Sequence, residues 1–442
     1  MVDYYCDDIG NKDRFCDEYK DTVKYIKEQK SWVYYEDGWH YAGIFKLTEP
    51  VVRNIYNEAA ECQDHTKRKE LGDWAKNSQS LSYQRSLLTL ATSSSLGVSF
   101  DIFDANARVI NCKNGIVDLR IKKLIPHSPD QLHLKQANAN YNPAAQCPRF
   151  MKFLDEIFKD QELIDWLHYA LGYSITGLTT EHCFFLCYGN GRNGKGALLE
   201  TIGYVLGSYG QTSEFDMFLQ DKRTSVRELE AVGKLKGRRF VIASETSDSS
   251  RLKESLIKRL TGGDKLTGTN LNSDSFEFDP THTIWLACNH LPAIKDASLA
   301  MWERVKVIPF GENFLNEDQE KDLKEVLKTE ADGIFNYLVD GAYKYLQTKM
   351  LPKNPEVCER AVQEYRDIND KLSIFMRECL VRDNVSNVSV SKVYEKYLEW
   401  CPSANEAPIS LVYFSEHMFE RGVKKKKLPA GMFFLEHRFA VV

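Results

Sequence analysis

The sequence lacks the cysteine patterns of metal-bound or disulfide-stabilised proteins. Its 11 cysteines stand at irregular spacings, with no CxxC pair and no cysteine–histidine spacing typical of a zinc site. We therefore expect reduced thiols. The N-terminal stretch MVDYYCDDIGNKDRF is acidic and lacks the basic-then-apolar order of a signal peptide. Apolar runs such as HCFFLCY and GMFFL are too short to span a bilayer. These absences predict a cytoplasmic protein with no membrane partner.

The sequence also lacks a strong excess of charge of either sign. Its formal net charge is −5 over 442 residues, so a basic surface for nucleic acid would have to be local. No internal repeat is visible, and low complexity is limited to residues 93–95 and 424–427. A chain of this length exceeds one ordinary hydrophobic core, so we expect several domains.

Composition and hydrophobic spacing divide the chain into four stretches. Residues 1–148 mix helical segments with two hairpin patterns, WVYYEDGWHYA and a strand pair around an Asn-Gly turn at 114–115. Residues 149–315 begin with a helical lead-in and continue with short buried strands that alternate with helices. Residues 316–380 are helical, and residues 381–442 contain two helices followed by a basic turn between strands. We predict domain boundaries at these positions.

The second stretch has the pattern of an α/β domain. HCFFLCYG, RRFVIASE and THTIWLACN read as buried strands, and each is followed or ended by a glycine or polar residue. The segment GALLETIGYVLG reads as the helix after the first of them. Strands alternating with helices predict a largely parallel sheet, whose ligands lie at the carboxyl ends of the strands.

A glycine-rich loop, GNGRNGKG, joins the first strand to that helix. It nearly matches the phosphate-binding pattern GxxxxGK(S/T), with Gly189, Gly194 and Lys195 in place but Gly196 and Ala197 where a hydroxyl is usual. A lysine in an ordinary turn is the alternative, but a turn has no need of four glycines in eight residues. We predict that Lys195 contacts the outer phosphates of ATP. The predicted nucleotide-binding residues are Gly189, Asn190, Gly191, Arg192, Asn193, Gly194, Lys195, Gly196 and Ala197.

Polar residues at the ends of the other two strands could complete such a site. Glu245 is placed to hold Mg²⁺, directly or through water, and to orient the attacking water. A helix cap or a solvated carboxylate is the alternative for Glu245. Asn289 could hold a water or the γ-phosphate, although an asparagine that opens a turn is also common. Arg304 could stabilise transition-state charge on a neighbouring subunit's phosphates, or form a salt bridge with Glu303.

Several segments, taken in order, resemble the superfamily III helicases of viruses, phages and plasmids. These segments are GNGRNGKG, RRFVIASET, LIKRLTGGDKLTG, TIWLACNHLP and WERVKVIPF. Two earlier segments, NCKNGIVDLRIKKLIPHSP and YNPAAQCPRFMKFL, are similar to elements of the primase-associated helicases of phages, plasmids and poxviruses. The resemblance covers nearly the entire chain.

The resemblance implies an α/β AAA+-like P-loop core with a mixed α+β helicase-associated domain before it and a winged-helix-like domain after it. Gly189–Gly196 would be the Walker A loop, Glu245 the catalytic and metal-binding acid, Asn289 the sensor and Arg304 the arginine finger. The implied cofactors are ATP and Mg²⁺. The implied assembly is a hexameric ring that moves along single-stranded DNA.

DNA contacts are also implied, although the sequence departs from the family pattern. Lys258 lies in the motif that leads to a DNA-gripping hairpin. Within that hairpin Thr269 stands where relatives tend to have a basic residue, Asp274 is acidic, and Lys265 is the nearest basic candidate. A second candidate contact with DNA phosphates is the basic run of the tail, which could instead be a solvated turn. Its members are Lys424, Lys425, Lys426 and Lys427.

The sequence therefore predicts an ATP-dependent replicative DNA helicase of a phage or other mobile element, acting on single-stranded or forked DNA. No aspartate pair or zinc spacing indicates a primase here, so a primase or polymerase would act in trans or in a missing N-terminal region. The alternatives are an origin-binding or loader ATPase that does not unwind DNA, and a monomeric metabolite kinase with the same loop.

Overall fold

The computed structural model describes most of the chain. The described residues are 8–27, 29, 31–41, 43–220, 225–244, 251–269, 275–295, 298–314, 322–404, 408–429 and 431–440. The predicted acid Glu245 lies outside these residues, and so do residues 270–274, which include Asp274.

The N-terminal part packs helices around a small sheet. Its elements are α1 (Asp8–Tyr19), β1 (Val23–Ile26), β2 (Ser31–Tyr35), β3 (Trp39–Tyr41), α2 (Thr48–Glu61), α3 (His65–Ser78), α4 (Leu81–Ala91) and β4 (Gly97–Val98). The strand order is β3-β2-β1-β4, antiparallel except for the β1–β4 pair. Asp37 (φ 52°) and Gly38 (φ 138°) turn the chain between β2 and β3, so the first predicted hairpin is confirmed.

A three-stranded antiparallel meander follows, formed by β5 (Val109–Cys112), β6 (Gly115–Asp118) and β7 (Lys123–Ile125). Cys112 pairs with Gly115, so the turn lies at residues 113–114, one residue before its predicted place. Glycine is required at position 115, the first residue of β6, because a Cβ atom there would lie 2.5 Å from the carbonyl oxygen of Ile125 on β7.

The central part is built on a five-stranded sheet. Its elements are α5 (Pro148–Phe158), α6 (Gln161–Ile175), β8 (Phe184–Tyr188), α7 (Lys195–Leu206), β9 (Gly210–Thr212), α8 (Ser225–Gly233), β10 (Phe240–Ser244), α9 (Glu254–Thr261), β11 (Leu266–Thr269), β12 (Ser275–Phe278), β13 (Thr283–Cys288), α10 (Leu299–Trp302) and β14 (Val305–Pro309). The strand order is β14-β8-β13-β10-β9, and every adjacent pair is parallel. The predicted α/β fold with a parallel sheet is confirmed.

Helices on both faces explain why these strands are apolar. Phe184, Phe185, Leu186 and Cys187 of β8 alternate between two buried clusters, one under α5, α6 and α7 and one under α9. A strand buried on both faces favours a continuous apolar run. β11 and β12 form a separate antiparallel hairpin between α9 and β13.

The C-terminal part begins with helices and ends in a compact unit. Its elements are α11 (Leu323–Thr329), α12 (Ala331–Thr348), α13 (Glu356–Asn369), α14 (Lys371–Cys379), β15 (Leu380–Ser389), α15 (Val390–Ser403), α16 (Leu411–Glu420), β16 (Lys425–Leu428) and β17 (Gly431–Phe439). The strands form an antiparallel sheet in the order β15-β17-β16, with a core of its own around Phe375, Phe414 and Phe434.

Two sequence interpretations are wrong in this unit. β15 was not predicted, and Lys425, Lys426 and Lys427 lie on strand β16 and not in a turn. All three lysines are exposed, and β16 is an edge strand paired only with β17 among the described residues. Lysines are common on edge strands because they discourage pairing with other chains.

The cysteines of the described residues form no disulfide bond. Burial raises the pKa of the Cys183 thiol and of the Cys358 thiol to about 12. Both thiols are therefore protonated at neutral pH and unreactive as nucleophiles. Among the helices of the described residues, none is long and apolar enough to cross a membrane.

Candidate functional site

A cavity of about 1060 Å³ lies over the carboxyl ends of β8, β10 and β13 and against the start of α7. Ser244, Ala287 and Asn289 line it from the ends of β10 and β13. The glycine-rich loop contributes most of its predicted residues. These are Gly191, Arg192, Asn193, Gly194, Lys195, Gly196 and Ala197. Gly189 and Asn190 are absent from the lining, although Gly189 holds the loop in place.

Two glycines of the loop are required by its geometry. Gly194 has φ 88°, and a Cβ atom there would lie 2.6 Å from Cγ2 of Ile157 on α5. A Cβ atom on Gly189 would overlap the carbonyl oxygen of Phe310, which follows β14. The loop is thus pressed between α5 and the segment after β14.

The start of α7 favours an anion. Gly194 is the N-cap and provides no side-chain hydrogen bond to the first turn. The first N–H groups of a helix have no partner within the helix, and the helix dipole adds partial positive charge there. A helix that begins in this way directly behind a glycine loop is suited to hold phosphate groups.

Lys195 joins the loop to the end of β13. It is only 6% exposed. Its ammonium donates to the carbonyl oxygen of Gly189, to Oδ1 of Asn193 at 3.1 Å and to Oδ1 of Asn289 at 3.2 Å. The structure therefore brings two residues predicted from separate motifs, Lys195 and Asn289, into direct contact. These three acceptors are neutral oxygen atoms, and they orient the ammonium.

The mouth of the cavity is charged. Arg149 of α5 pairs with Glu156 at 3.1 Å, and Lys159 pairs with Glu312 at 2.5 Å. Among the described residues of the lining, basic side chains outnumber acidic ones. The basic residues are Arg149, Lys152, Lys159, Arg192, Lys195 and Lys324, and the acidic residues are Glu156, Glu312, Asp322 and Glu325. This excess suits a polyanionic ligand.

Arg304 is not brought to this cavity. It precedes β14, where Val305 pairs with Phe184 at the amino end of β8. A five-residue strand spans roughly 16 Å, so Arg304 lies at the opposite edge of the sheet. Its guanidinium donates to the carbonyl oxygen of Ala300, and its buried Nε has no hydrogen-bond partner among the described residues.

The predicted DNA-binding lysines also lie away from the cavity. Lys258, in the last turn of α9, donates to Oγ of Ser298 at 3.3 Å. Lys265 is exposed and directly precedes the β11–β12 hairpin. Lys424 to Lys427 are exposed on the C-terminal unit, at β16 and the residue before it.

Much of the cavity wall was not predicted. Phe153 of α5, Asn313 and Phe314 after β14 and Leu323 of α11 line it together with the loop. No local pattern marks these residues, because only packing between distant segments places them there. The described residues contain no group of three or more His, Cys, Asp or Glu side chains suited to a metal ion.

Comparison with known families gives two matches along the chain. Residues 12–159 match a family described as D5 N terminal like. Residues 187–304 match a family of unknown function, DUF5906. The second match includes the glycine-rich loop, β10 and β13, which form the floor of the cavity.

Curated viral proteins are similar to a large share of the chain. A candidate helicase of Acanthamoeba polyphaga mimivirus is 26% identical over 334 residues, which cover 69% of this chain and 35% of that protein. A candidate helicase of Invertebrate iridescent virus 3 is 25% identical over 363 residues, which cover 74% of this chain and 38% of that protein. A candidate primase of African swine fever virus is 23% identical over 322 residues, which cover 67% of this chain and 33% of that protein. The chain spans about a third of the length of these relatives.

A solved structure has a similar fold. The apo C-terminal region of NrS-1 aligns with a TM-score of 0.50 over 96% of this chain and 99% of that one, at 10% sequence identity. At this identity the likeness concerns the fold alone.

Proposed function

Because the chain belongs to the family of phage and viral primase-associated helicases, we propose that it is an ATP-dependent DNA helicase of viral or mobile-element replication. The observation that carries the proposal is the hydrogen bond from Lys195, at the end of the glycine-rich loop, to Asn289, which follows β13. The loop, the following helix and the polar ends of parallel strands support a P-loop core of the AAA+ type.

The residues of the cavity have separate roles in this proposal. Backbone N–H groups of the loop and the start of α7 bind the phosphates of ATP. Lys195 exchanges its hydrogen bonds to Gly189, Asn193 and Asn289 for bonds to the outer phosphates. Asn289 would then orient the γ-phosphate or the attacking water.

A carboxylate at the end of β10 suits Mg²⁺. Ser244 lines the cavity and Glu245 is the next residue, so Glu245 would hold the ion together with phosphate oxygens and water. When bound, Mg²⁺ neutralises charge on the phosphates. The loop offers no hydroxyl to share this task, because Gly196 and Ala197 stand at its end.

The position of Arg304 supports an assembly of several copies. Since it lies at the opposite edge of the sheet, Arg304 could serve a phosphate group only on a neighbouring subunit. We propose a ring, with six subunits as the family implies. Single-stranded DNA would pass through it along the β11–β12 hairpin, near Lys258 and Lys265.

The C-terminal unit would provide further DNA contacts. Its order of helix, strand, two helices and two strands supports a winged-helix-like domain. The exposed lysines at β16 are available for phosphate oxygens, and each such contact should increase the salt dependence of binding.

The proposal is tested by ATP hydrolysis with and without single-stranded DNA and by displacement of one strand from a forked duplex. We expect DNA to stimulate hydrolysis and strands to separate only with ATP. Glu245→Gln should abolish both activities. Hydrolysis and DNA binding without displacement would instead favour an origin-binding or loader ATPase. A protein that stays monomeric with ATP and DNA would favour the kinase alternative.

Adding a hydroxyl at position 196 is expected to lower the Mg²⁺ requirement. Gly196 is exposed, and a Cβ atom there would have Glu200 Oε1 at 3.5 Å as its nearest neighbour, so serine fits. In Gly196→Ser the Mg²⁺ concentration for half-maximal hydrolysis should fall roughly threefold, because an oxygen ligand is gained.

Gly196→Ala is the matched control for this substitution, since it adds the same Cβ atom without the hydroxyl. Its Mg²⁺ requirement should equal that of the original protein. An unchanged or higher requirement in Gly196→Ser would show that the missing hydroxyl is not a deficit.

A further inference from the structure

Lys236 connects the N-terminal part to the β11–β12 hairpin. It lies between α8 and β10, and its side chain is 12% exposed. Its ammonium is 4.4 Å from the ring centre of Phe100 and 5.0 Å from that of Phe276. It also pairs with Asp101 at 2.8 Å. Phe100 and Asp101 belong to the N-terminal part, whereas Phe276 lies on β12. One cation therefore contacts two parts of the chain that are distant in sequence.

The hairpin is seated next to this cation by a close backbone contact. A Cβ atom on Gly268 of β11 would lie 2.5 Å from Cα of Gly233, the last residue of α8. Gly268 of β11 pairs with Phe276 of β12. Gly268 therefore contacts α8 at the same position along the hairpin at which the Phe276 ring contacts Lys236. Lys236 follows Gly233 by three residues and donates its backbone N–H to the Gly233 carbonyl oxygen at 3.3 Å.

A buried arginine joins the meander to the central sheet, whereas Phe100 lies in another core. Arg239, at 2% exposure, donates to the carbonyl oxygens of Ile175 at 2.6 Å and Val109 at 2.7 Å. Phe100 is buried in the core that includes Trp39 and Phe103. Phe100 thus belongs to a different buried core from the hairpin, whose Leu266 and Phe278 lie in the core of the central part.

We propose that Lys236 is a positioning residue that couples the β11–β12 hairpin to the N-terminal part and sets the resting position of the hairpin. The inference rests on the proposed function for its consequence, that movement of the hairpin during ATP turnover moves DNA. The Lys236 ammonium is attracted by both aromatic rings, and its ion pair with Asp101 adds a third contact at the same place. These contacts give the hairpin a defined starting position relative to the N-terminal part.

Replacing the cation should separate ATP hydrolysis from DNA movement. Lys236→Met keeps a long apolar stem but removes the charge. Hydrolysis without DNA should stay within about twofold of the original protein, whereas strand displacement should fall roughly fivefold or more. Lys236→Arg should restore displacement, because a guanidinium also binds aromatic faces. Lys234→Met is the matched control, since Lys234 is an exposed lysine two residues earlier, and it should change neither activity.

Hydrogen exchange measures the coupling itself, independently of helicase activity. In the free protein, backbone amides of 266–269 and 275–278 should exchange roughly tenfold faster in Lys236→Met than in Lys234→Met. Phe276→Leu should have the same effect, and the double variant should exchange no faster than either single variant. Unchanged exchange in Lys236→Met would overturn the inference even if the protein is not a helicase. Faster exchange in Lys236→Met, in a protein whose unsubstituted form does not unwind DNA, would support the coupling and reject the proposed function.

Discussion

Lys195→Ala is expected to reduce ATP turnover by at least about 100-fold, both with and without DNA. Removing one preorganised charge donor from a phosphoryl-transfer or acyl-transfer site commonly costs two to three orders of magnitude in rate. Lys195 is a buried donor at the end of the glycine-rich loop, and its ammonium is already oriented by Asn193 and Asn289. The measurement is steady-state phosphate release at saturating ATP, together with binding of a fluorescent ATP analogue.

A lysine outside the cavity provides the control for this substitution. Lys353, whose side chain is 86% exposed, pairs with Glu359 at 3.8 Å, and Lys353→Ala should leave turnover within about twofold because exposed ion pairs contribute little. A melting curve of Lys195→Ala separates loss of catalysis from loss of folding, since the substitution leaves three acceptors without their donor. Full turnover in a folded Lys195→Ala protein would reject this cavity as the nucleotide site.

The contact between Lys195 and Asn289 could be anticipated from the sequence, because it follows from a general property of parallel sheets. β8 and β13 are adjacent and parallel, so residues just after each strand meet at one edge. The apolar runs predicted the strands. A polar residue that follows such a strand was predicted to lie at the edge of the sheet where the carboxyl ends of the strands meet. The same reasoning explains why Arg304, which precedes its strand, lies at the other edge.

The residues of the cavity wall, and the contacts of the β11–β12 hairpin with Lys236, could not be anticipated in this way. Phe153 lines the cavity only because α5 packs against Gly194. The local sequence does not predict which helix packs against which glycine. Lys236 is one of many lysines in the sequence, and only the tertiary structure places it between Phe100 and Phe276. The missed strand β15 is explained similarly, since its polar sequence pairs with β17 at long range. The domain boundaries stay predictions.

Gly172→Ala is expected to destabilise the central part by roughly 3 kcal/mol, the upper end of the usual cost of overpacking. α6 and α12 cross so closely that a Cβ atom on Gly172 would overlap the backbone of Gly341 and Ala342, with the Gly341 carbonyl oxygen only 2.5 Å away. Backbone atoms cannot move aside as a flexible side chain can. The two helices must separate, and α5, which packs on the loop, is part of the same buried cluster. Denaturant unfolding followed by tryptophan fluorescence measures the loss.

Gly72→Ala is the matched control, because Gly72 also lies inside a helix, α3, but apart from its own helix backbone no atom of the described residues lies within 4 Å of its Cβ position. There alanine should stabilise by about 0.5–1 kcal/mol, since it restricts the unfolded chain and favours the helix. The two substitutions add the same methyl group and differ only in what it meets. Equal effects of the two would therefore show that α6 and α12 are not packed backbone to backbone.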